Sequence, residues 1–394
     1  MHIRTDGLDR RRLLQGAGGL GLLGVSACAG IPAARPLVEG GPPRLAPIIA
    51  RPDRLFDVTV CLRPFRAAGP RLDTEQLGDT LVVHNYGHGG SGWSLSWGSS
   101  ALAVQKAMAS SPREVAVLGC GALGLTSATL AQRAGAKVTI YAKDLLPQTR
   151  SSRATGSWTP SSRIALESVA GPGFAVLWEQ MARTSFKTYR QYLGLPGDPV
   201  EWTDRFFVGD GPPDREVPSA GALDFADYDD RIADLTPRNE EMAPGSTPFR
   251  ARSVRRSTSM MFNVADYGHT LMTDFLLAGG RFERREFHAP AELQSLPEKV
   301  VINCPGYAAR SLWKDETVTP VRGQIGWLIP QAQTDYGVIY KDVSMLARRD
   351  GIVIQDLRGG DMVGYGDADE TPRRADSEKA VAIIAELYAN HWAG

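Results

Sequence analysis

Glu114-Val115-Ala116-Val117-Leu118-Gly119-Cys120-Gly121-Ala122-Leu123-Gly124 decides the reading of this chain. The apolar run from Val115 to Leu118 has no polar alternation, which fits a strand buried on both faces in a parallel sheet. It runs directly into glycines at 119, 121 and 124. An Ala/Leu-rich helical stretch to about Ala134 follows, and then a second strand, Lys137 to Tyr141. Strand, glycine turn, helix and strand within about thirty residues make a βαβ unit. In that setting Gly119 permits the tight turn and Gly121 lets a pyrophosphate approach the backbone. Gly124 lets helix and strand pack closely, and the helix start at Ala122 and Leu123 meets the phosphate charge. The fold class expected is α/β with a parallel central sheet that binds a dinucleotide; the motif alone does not choose between FAD and NAD. The second strand ends Tyr141-Ala142-Lys143-Asp144, where an acidic residue normally holds the adenosine ribose. Lys143 stands at the acidic position and Asp144 one later. Either Asp144 or the backbone takes the role, or the two form a solvated pair.

The chain has 394 residues, 43% hydrophobic and 22% charged, enough for two domains or one large α/β unit with a sizeable core. Lys+Arg and Asp+Glu both number 44, so there is no basic excess of the kind a nucleic-acid binder carries. Cys28, Cys61, Cys120 and Cys304 lie far apart with no CxxC, which speaks against a disulfide scaffold or a structural zinc site. Asp9-Arg10-Arg11-Arg12 ahead of the apolar, glycine-rich run Gly16–Ala27 reads as an export signal over residues 1–28. The paired arginines resemble the twin-arginine signal, and Val25-Ser26-Ala27-Cys28 resembles a lipobox. The expectation is a protein of the periplasm or cell envelope, tethered through Cys28 or cleaved as an ordinary signal. Residues 29–50, rich in Pro, Gly and Ala, read as a tether.

Around the βαβ unit, strands are expected at Leu55–Leu62, Leu81–Val83, Val300–Cys304, Gln324–Ile329 and Gly351–Gln355. Helical spacing covers residues 93–109, 161–195 and Tyr267–Leu277. A last amphipathic helix, Ser377–His391, carries Ala380, Ile383, Ile384, Leu387 and Tyr388 on one face. His84-Asn85-Tyr86-Gly87-His88-Gly89-Gly90-Ser91-Gly92 is a glycine-rich loop; its two histidines lack a carboxylate cluster, so a metal role is not expected.

At three places the sequence resembles the D-amino-acid oxidase family of FAD enzymes: the glycine unit, Thr149–Pro160, and Val301–Gly306 through Pro320-Val321-Arg322-Gly323-Gln324. Leu62-Arg63-Pro64 and Val83-His84-Asn85-Tyr86-Gly87-His88-Gly89-Gly90 resemble the segments that close that family's C-terminus. Here they precede the βαβ unit, which implies a circular permutation. It requires the old termini to lie close together at the surface. The resemblance implies an FAD-binding Rossmann-like domain (51–160, 295–310 and 361–394) and a mixed-sheet α+β substrate domain (161–294 and 311–360).

It implies roles as well. Arg63 is the clamp for the substrate α-carboxylate, and a guanidinium fits a carboxylate in bidentate fashion. Gly90 presents its carbonyl to the amine, and Gly89, Ser91, Gly92, Trp93 and Ser94 wrap the flavin. Ser151, Gly156 and Trp158 belong to the segment at the pyrophosphate. Tyr340 lines the substrate pocket, while the second family tyrosine falls on Ser344, too short to replace it. Arg348 and Arg349 nearby either compensate for it or form a solvated turn before Asp350-Gly351, and the turn is the reading favoured. The implied activity is oxidation of a D-amino acid, or a related amine acid, to a 2-oxo acid, ammonia and hydrogen peroxide. The alternatives are a flavin dehydrogenase with an acceptor other than oxygen, or a silent exported flavin binder.

Overall fold

The computed structural model describes residues 45–209 and 222–393, so the export signal, Cys28 and most of the expected tether lie outside the described residues. Residues 45–50, the end of that tether, are packed instead. Ile48 and Ala50 are buried, and Tyr336 Oη donates to the Ala46 carbonyl over 2.7 Å. Ile48 fills an apolar layer beneath the C-terminal helix, which a free linker would leave open.

In chain order the elements are β1 (Leu55–Arg66), β2 (Thr74–Leu77), β3 (Thr80–His84), α1 (Gly92–Ala107), β4 (Glu114–Leu118), α2 (Ala122–Arg133) and β5 (Lys137–Ala142). Then come α3 (Phe174–Tyr189), β6 (Val200–Gly209), β7 (Glu240–Glu241), β8 (Ser253–Phe262), α4 (Val264–Leu277), β9 (Arg281–Arg284) and β10 (Val300–Asn303). The chain closes with α5 (Ala309–Leu312), β11 (Val318–Leu328), β12 (Tyr336–Tyr340), β13 (Val343–Arg348), β14 (Gly351–Asp356) and α6 (Arg374–Asn390).

The smaller sheet runs β2-β3-β10-β4-β5-β9, parallel throughout except for the antiparallel edge strand β2. Its apolar strands are covered on both sides. Val83, Val117, Ile140 and Ile302 face a core shared with α1 to α4, and Val82, Ala116, Leu118 and Val301 face Leu293, Leu296 and Leu312. The helix expected over 161–195 is confined to α3. Gly171-Pro172-Gly173 turns the chain just before it, and Phe174 N donates to the Gly171 carbonyl.

The larger sheet runs β1-β11-β14-β13-β12-β6-β8-β7 and is antiparallel except where β12 meets β6. Strand alternation sends Val338, Met345 and Ile354 toward Ala380, Ile384 and Leu387 of α6. The opposite face carries Met261, Ile325, Trp327, Leu346 and Val353. Segments divide between the sheets differently from the expectation. β1 pairs along its length with β11, from Leu55↔Leu328 to Arg66↔Val318, and so belongs to the larger sheet. The apolar stripe of α6 covers that sheet too, whereas α3, α4 and β9 complete the dinucleotide half. Pairing across several hundred residues decides this, and local periodicity does not carry it.

Candidate functional site

A cavity of about 540 Å³ opens at the carboxyl ends of β3, β4, β5 and β10, where open α/β sheets bind their ligands. The larger sheet closes it with Cys61 and Arg63 from β1 and with Gly323 and Ile325 from β11. Gly119, with φ +91°, makes the turn after β4; a Cβ there would strike the Cys304 carbonyl oxygen. A Cβ on Gly124 would lie 2.7 Å from the Gly119 carbonyl carbon, so only glycine lets α2 begin this close to its strand. At Gly121 a Cβ would come within 2.7 Å of Ser151 Oγ. That hydroxyl accepts a hydrogen bond from Ala122 N over 3.0 Å. Ser151 thus sits at the N-terminus of α2, where unpaired amides and the helix dipole favour an anion.

The loop after β3 forms the next wall. His88 is 1% exposed, and burial pushes its pKa down to about 3, so the ring is neutral. Ser99 Oγ donates to Asn85 Oδ1 (2.6 Å) and therefore accepts from His88 Nε2 (2.7 Å). That fixes the tautomer and leaves Nδ1 as a buried acceptor with no hydrogen-bond partner among the described residues. A lone acceptor in a cavity wall calls for a donor on the ligand. Gly90 N donates to the Ser162 carbonyl (2.9 Å), and a Cβ on Gly89 would lie 2.9 Å from the Arg163 carbonyl carbon. The loop is pressed flat against residues 162–163, which explains its run of glycines.

At the opposite end, Lys143 Nζ pairs with Glu286 Oε1 at 2.8 Å, both side chains largely in solvent. Lys143, Asp144 and Glu286 all border the cavity. Glu286, in the turn after β9, thus adds a carboxylate beside Asp144 at this end of the cavity. Only the pairing of β5 with β9 brings it there.

Arg63 stands where this cavity meets a second one of about 310 Å³, and both share Arg63 and Gly323. Its guanidinium has no ion pair within 4 Å among the described residues; its one hydrogen bond is a 3.4 Å contact from Nη1 to the Arg322 carbonyl. Burial lowers its pKa, with Cys61 and Asp361 acting in the other direction. A half-buried cation so poorly compensated is favoured by an anion that joins it.

The expected residues divide into three groups. Arg63, Gly89, Gly90, Gly92, Trp93, Gly119, Gly121, Ala122, Leu123, Lys143, Asp144 and Ser151 line the larger cavity. Gly124, Ser91, Ser94, Gly156 and Trp158 brace the wall from behind. Ser91 Oγ donates to the Ser162 carbonyl, and Ser94 Oγ accepts from Thr159 N. The Gly156 carbonyl accepts from Phe262 N, and the Trp158 ring packs between Phe186 and Tyr189. Tyr340 is placed elsewhere. Its ring lies in the apolar layer beneath α6, beside His391, because β12 alternation turns Tyr336, Val338 and Tyr340 to that face. Ser344 is on the other face, opposite Ile339 in register. The solvated turn expected at Arg348 and Arg349 is only half correct. Arg348 is 3% exposed, bound to Asp350 and to the Ala154 carbonyl (2.7 Å), and Arg349 pairs with Asp198 and Glu201. His88 begins the loop that resembles the flavin-wrapping one, but its open Nδ1 was not legible in the sequence; Glu286 and Arg163, which line the larger and the smaller cavity, gave no sequence signal.

These features fit FAD. The glycine turn and Ser151 suit a pyrophosphate, Lys143–Glu286 and Asp144 suit an adenosine end, and the orphaned acceptor of His88 suits the hydroxyl and N–H donors of a ribityl-flavin. The family model described as "DAO: FAD dependent oxidoreductase" matches residues 114–393. A D-amino-acid oxidase of Dictyostelium discoideum is 25% identical over 284 residues, 70% of this chain and 74% of that protein. A D-amino-acid oxidase of Rubrobacter xylanophilus is 30% identical over 210 residues, 53% of this chain and 57% of its own length. The crystal structure of iminodiacetate oxidase from Chelativorans sp. BNC1 aligns at a TM-score of 0.45 with 15% identity, covering 70% of this chain and 80% of that one. Because the family match runs through the glycine turn and the sheet that closes the cavity, this chain belongs to the DAO family of FAD-dependent oxidoreductases, and FAD is its cofactor.

Proposed function

We propose that this enzyme oxidises the Cα–N bond of a D-amino acid, with water and oxygen, to a 2-oxo acid, ammonia and hydrogen peroxide. The observation that carries the proposal is Arg63, a half-buried guanidinium with no ion pair among the described residues, at the junction of the FAD cavity and its annex. It donates two parallel N–H bonds to the α-carboxylate, which neutralises it and fixes the substrate's orientation. Gly90, its amide tied to the Ser162 carbonyl, supplies the acceptor for the substrate amine. With carboxylate and amine both held, one face of Cα is turned to the cofactor, and that selects configuration. Bound FAD supplies the two-electron acceptor for the Cα hydride. Water then adds to the released imino acid and expels ammonia. The D-amino-acid oxidases among the relatives support this choice of substrate.

The test is anaerobic. D-amino acids should bleach the oxidised flavin band of the purified enzyme, and their L-enantiomers should not. A flavin that no amino acid reduces would overturn the proposal. Readmitting oxygen separates an oxidase, which forms peroxide, from a dehydrogenase, which leaves the flavin reduced until another acceptor is added.

The proposal includes chain order and location. The family match begins at Glu114, the first residue of β4, while before it β1 and β3 supply strands to the two sheets and α1 packs on the smaller one. Ile48, just ahead of β1, packs with Ile384 and Leu387 of α6, so the ends of the described chain lie together. Both facts support a circular permutation that opens the fold at β1 and joins α1 to β4 through Ser111-Pro112-Arg113. The arginines at 10–12 and Cys28 support an envelope location, with fractionation of the full chain as the test.

A further inference from the structure

The smaller cavity has more positive charge than the proposed reaction uses. Five arginines reach its wall, against three aspartates. Three of the arginines are balanced locally: Arg358 by Asp356, Arg373 by Asp369 at 2.8 Å, and Arg322 by the Asp369 and Thr371 carbonyls with Asp367 at 4.0 Å. Arg63 and Arg163 remain. The Arg163 side chain is only 11% exposed, and its one carboxylate neighbour, Asp361 at 3.2 Å, is 59% exposed and largely screened by water. Burial depresses the Arg163 pKa to about 10, and the charge on Arg63 adds to the effect. The two guanidiniums therefore repel each other in one partly dry space.

Arg163 is held there at a cost. Its φ is +48°, uncommon for a residue with a Cβ. Its Nε and Nη2 are spent on the Asp361 and Gly360 carbonyls (2.7 and 3.1 Å), while Nη1 has no hydrogen bond to a described residue. The adjacent Ser162 carbonyl takes the Gly90 amide, so Arg163 follows in sequence the residue that anchors the loop positioning the substrate amine.

We propose that Arg163 is a specificity residue: it seats a second carboxylate on the substrate side chain while Arg63 holds the α-carboxylate, so the enzyme prefers a dicarboxylic D-amino acid. This rests on the amino-acid reading above. The test uses FAD-loaded enzyme and two unreactive hydroxy acids, D-malate and D-lactate, whose dissociation constants are measured by calorimetry. The ratio of kcat/KM for D-aspartate to that for D-alanine is measured alongside. Loss of one charge-assisted contact should lower the dicarboxylate-to-monocarboxylate preference about 10- to 100-fold in Arg163→Asn, whose side chain tolerates positive φ. Arg163→Lys, which keeps the charge, should recover part of it. If D-alanine is oxidised but the native enzyme shows no preference for D-malate and D-aspartate, the inference falls and the amino-acid reading stands. A native preference that survives Arg163→Asn within about twofold also overturns it, and leaves Arg163 as a strut for the 360–361 loop. If another D-amino acid reduces the flavin but D-aspartate does not, the inference alone falls; if no D-amino acid reduces it, both readings fall.

Discussion

Gly323→Ala moves the proposed carboxylate clamp without changing any charge. Gly323 lies in the middle of β11 opposite Cys61, and the Arg63 guanidinium rests over its bare Cα. A Cβ at 323 would stand 2.5 Å from Arg63 Cζ and 2.6 Å from Nη1, where ordinary contact begins at 3.4 Å. The guanidinium must therefore retreat by about 1 Å. It is the free end of a flexible side chain, so it yields in place of the backbone. A misplacement of about 1 Å costs roughly 100-fold in rate, or about 2.7 kcal/mol of barrier. Folding should not suffer, because alanine in a strand interior is favoured over glycine by about 0.5 kcal/mol. The assay is kcat/KM for the best D-amino acid, with flavin content and Tm measured on the same preparation. The expected result is a fall of about 100-fold in kcat/KM with full flavin content and an unchanged or slightly raised Tm. A folded, flavin-loaded Gly323→Ala enzyme within about threefold of the native kcat/KM would refute the placement of Arg63 as the clamp.

His88 should make the protein sensitive to acid. Its folded pKa of about 3 is below the unfolded value of about 6.5, so the unfolded chain binds the extra proton in that window. Stability is full above about pH 6.5 and falls as pH drops toward 3, at about 1.4 kcal/mol per pH unit. Urea unfolding of the FAD-loaded protein at pH 7 and pH 5 should show the native enzyme losing about 2 kcal/mol more than His88→Gln, and parallel losses would contradict the buried neutral ring. Tyr340→Phe should leave kcat/KM within about threefold, because the ring packs beneath α6 and not in either cavity; a fall of about 100-fold or more would place it back in the substrate pocket.

The glycine turn was legible because its chemistry is local: residues within ten positions supply the strand, the turn and the helix start. Gly119, Gly121, Gly124 and Ser151 could be assigned from spacing and resemblance, and the structure gives each a steric or hydrogen-bonding reason. Arg63 was legible by resemblance, but its lack of an ionic partner among the described residues was not, since that depends on what distant segments leave empty. Tyr340 failed because resemblance places a residue along a strand without saying which face the strand presents. Arg348 failed for a related reason: a charged pair before Asp-Gly looks like a surface turn until Ala154 and Trp327 close over it.

By itself, then, the sequence determined the βαβ unit, the glycine loop and the glycine turn able to meet a dinucleotide, because those depend on spacing within one turn or one strand; the carboxylate clamp at Arg63 came from resemblance alone. The tertiary structure alone decided that β1 lines the larger sheet, that Glu286 answers Lys143, and that Arg163 shares a cavity with Arg63. Each of these joins residues about 100 or more positions apart, and such pairings are set by packing and burial across the whole chain, which no local pattern encodes.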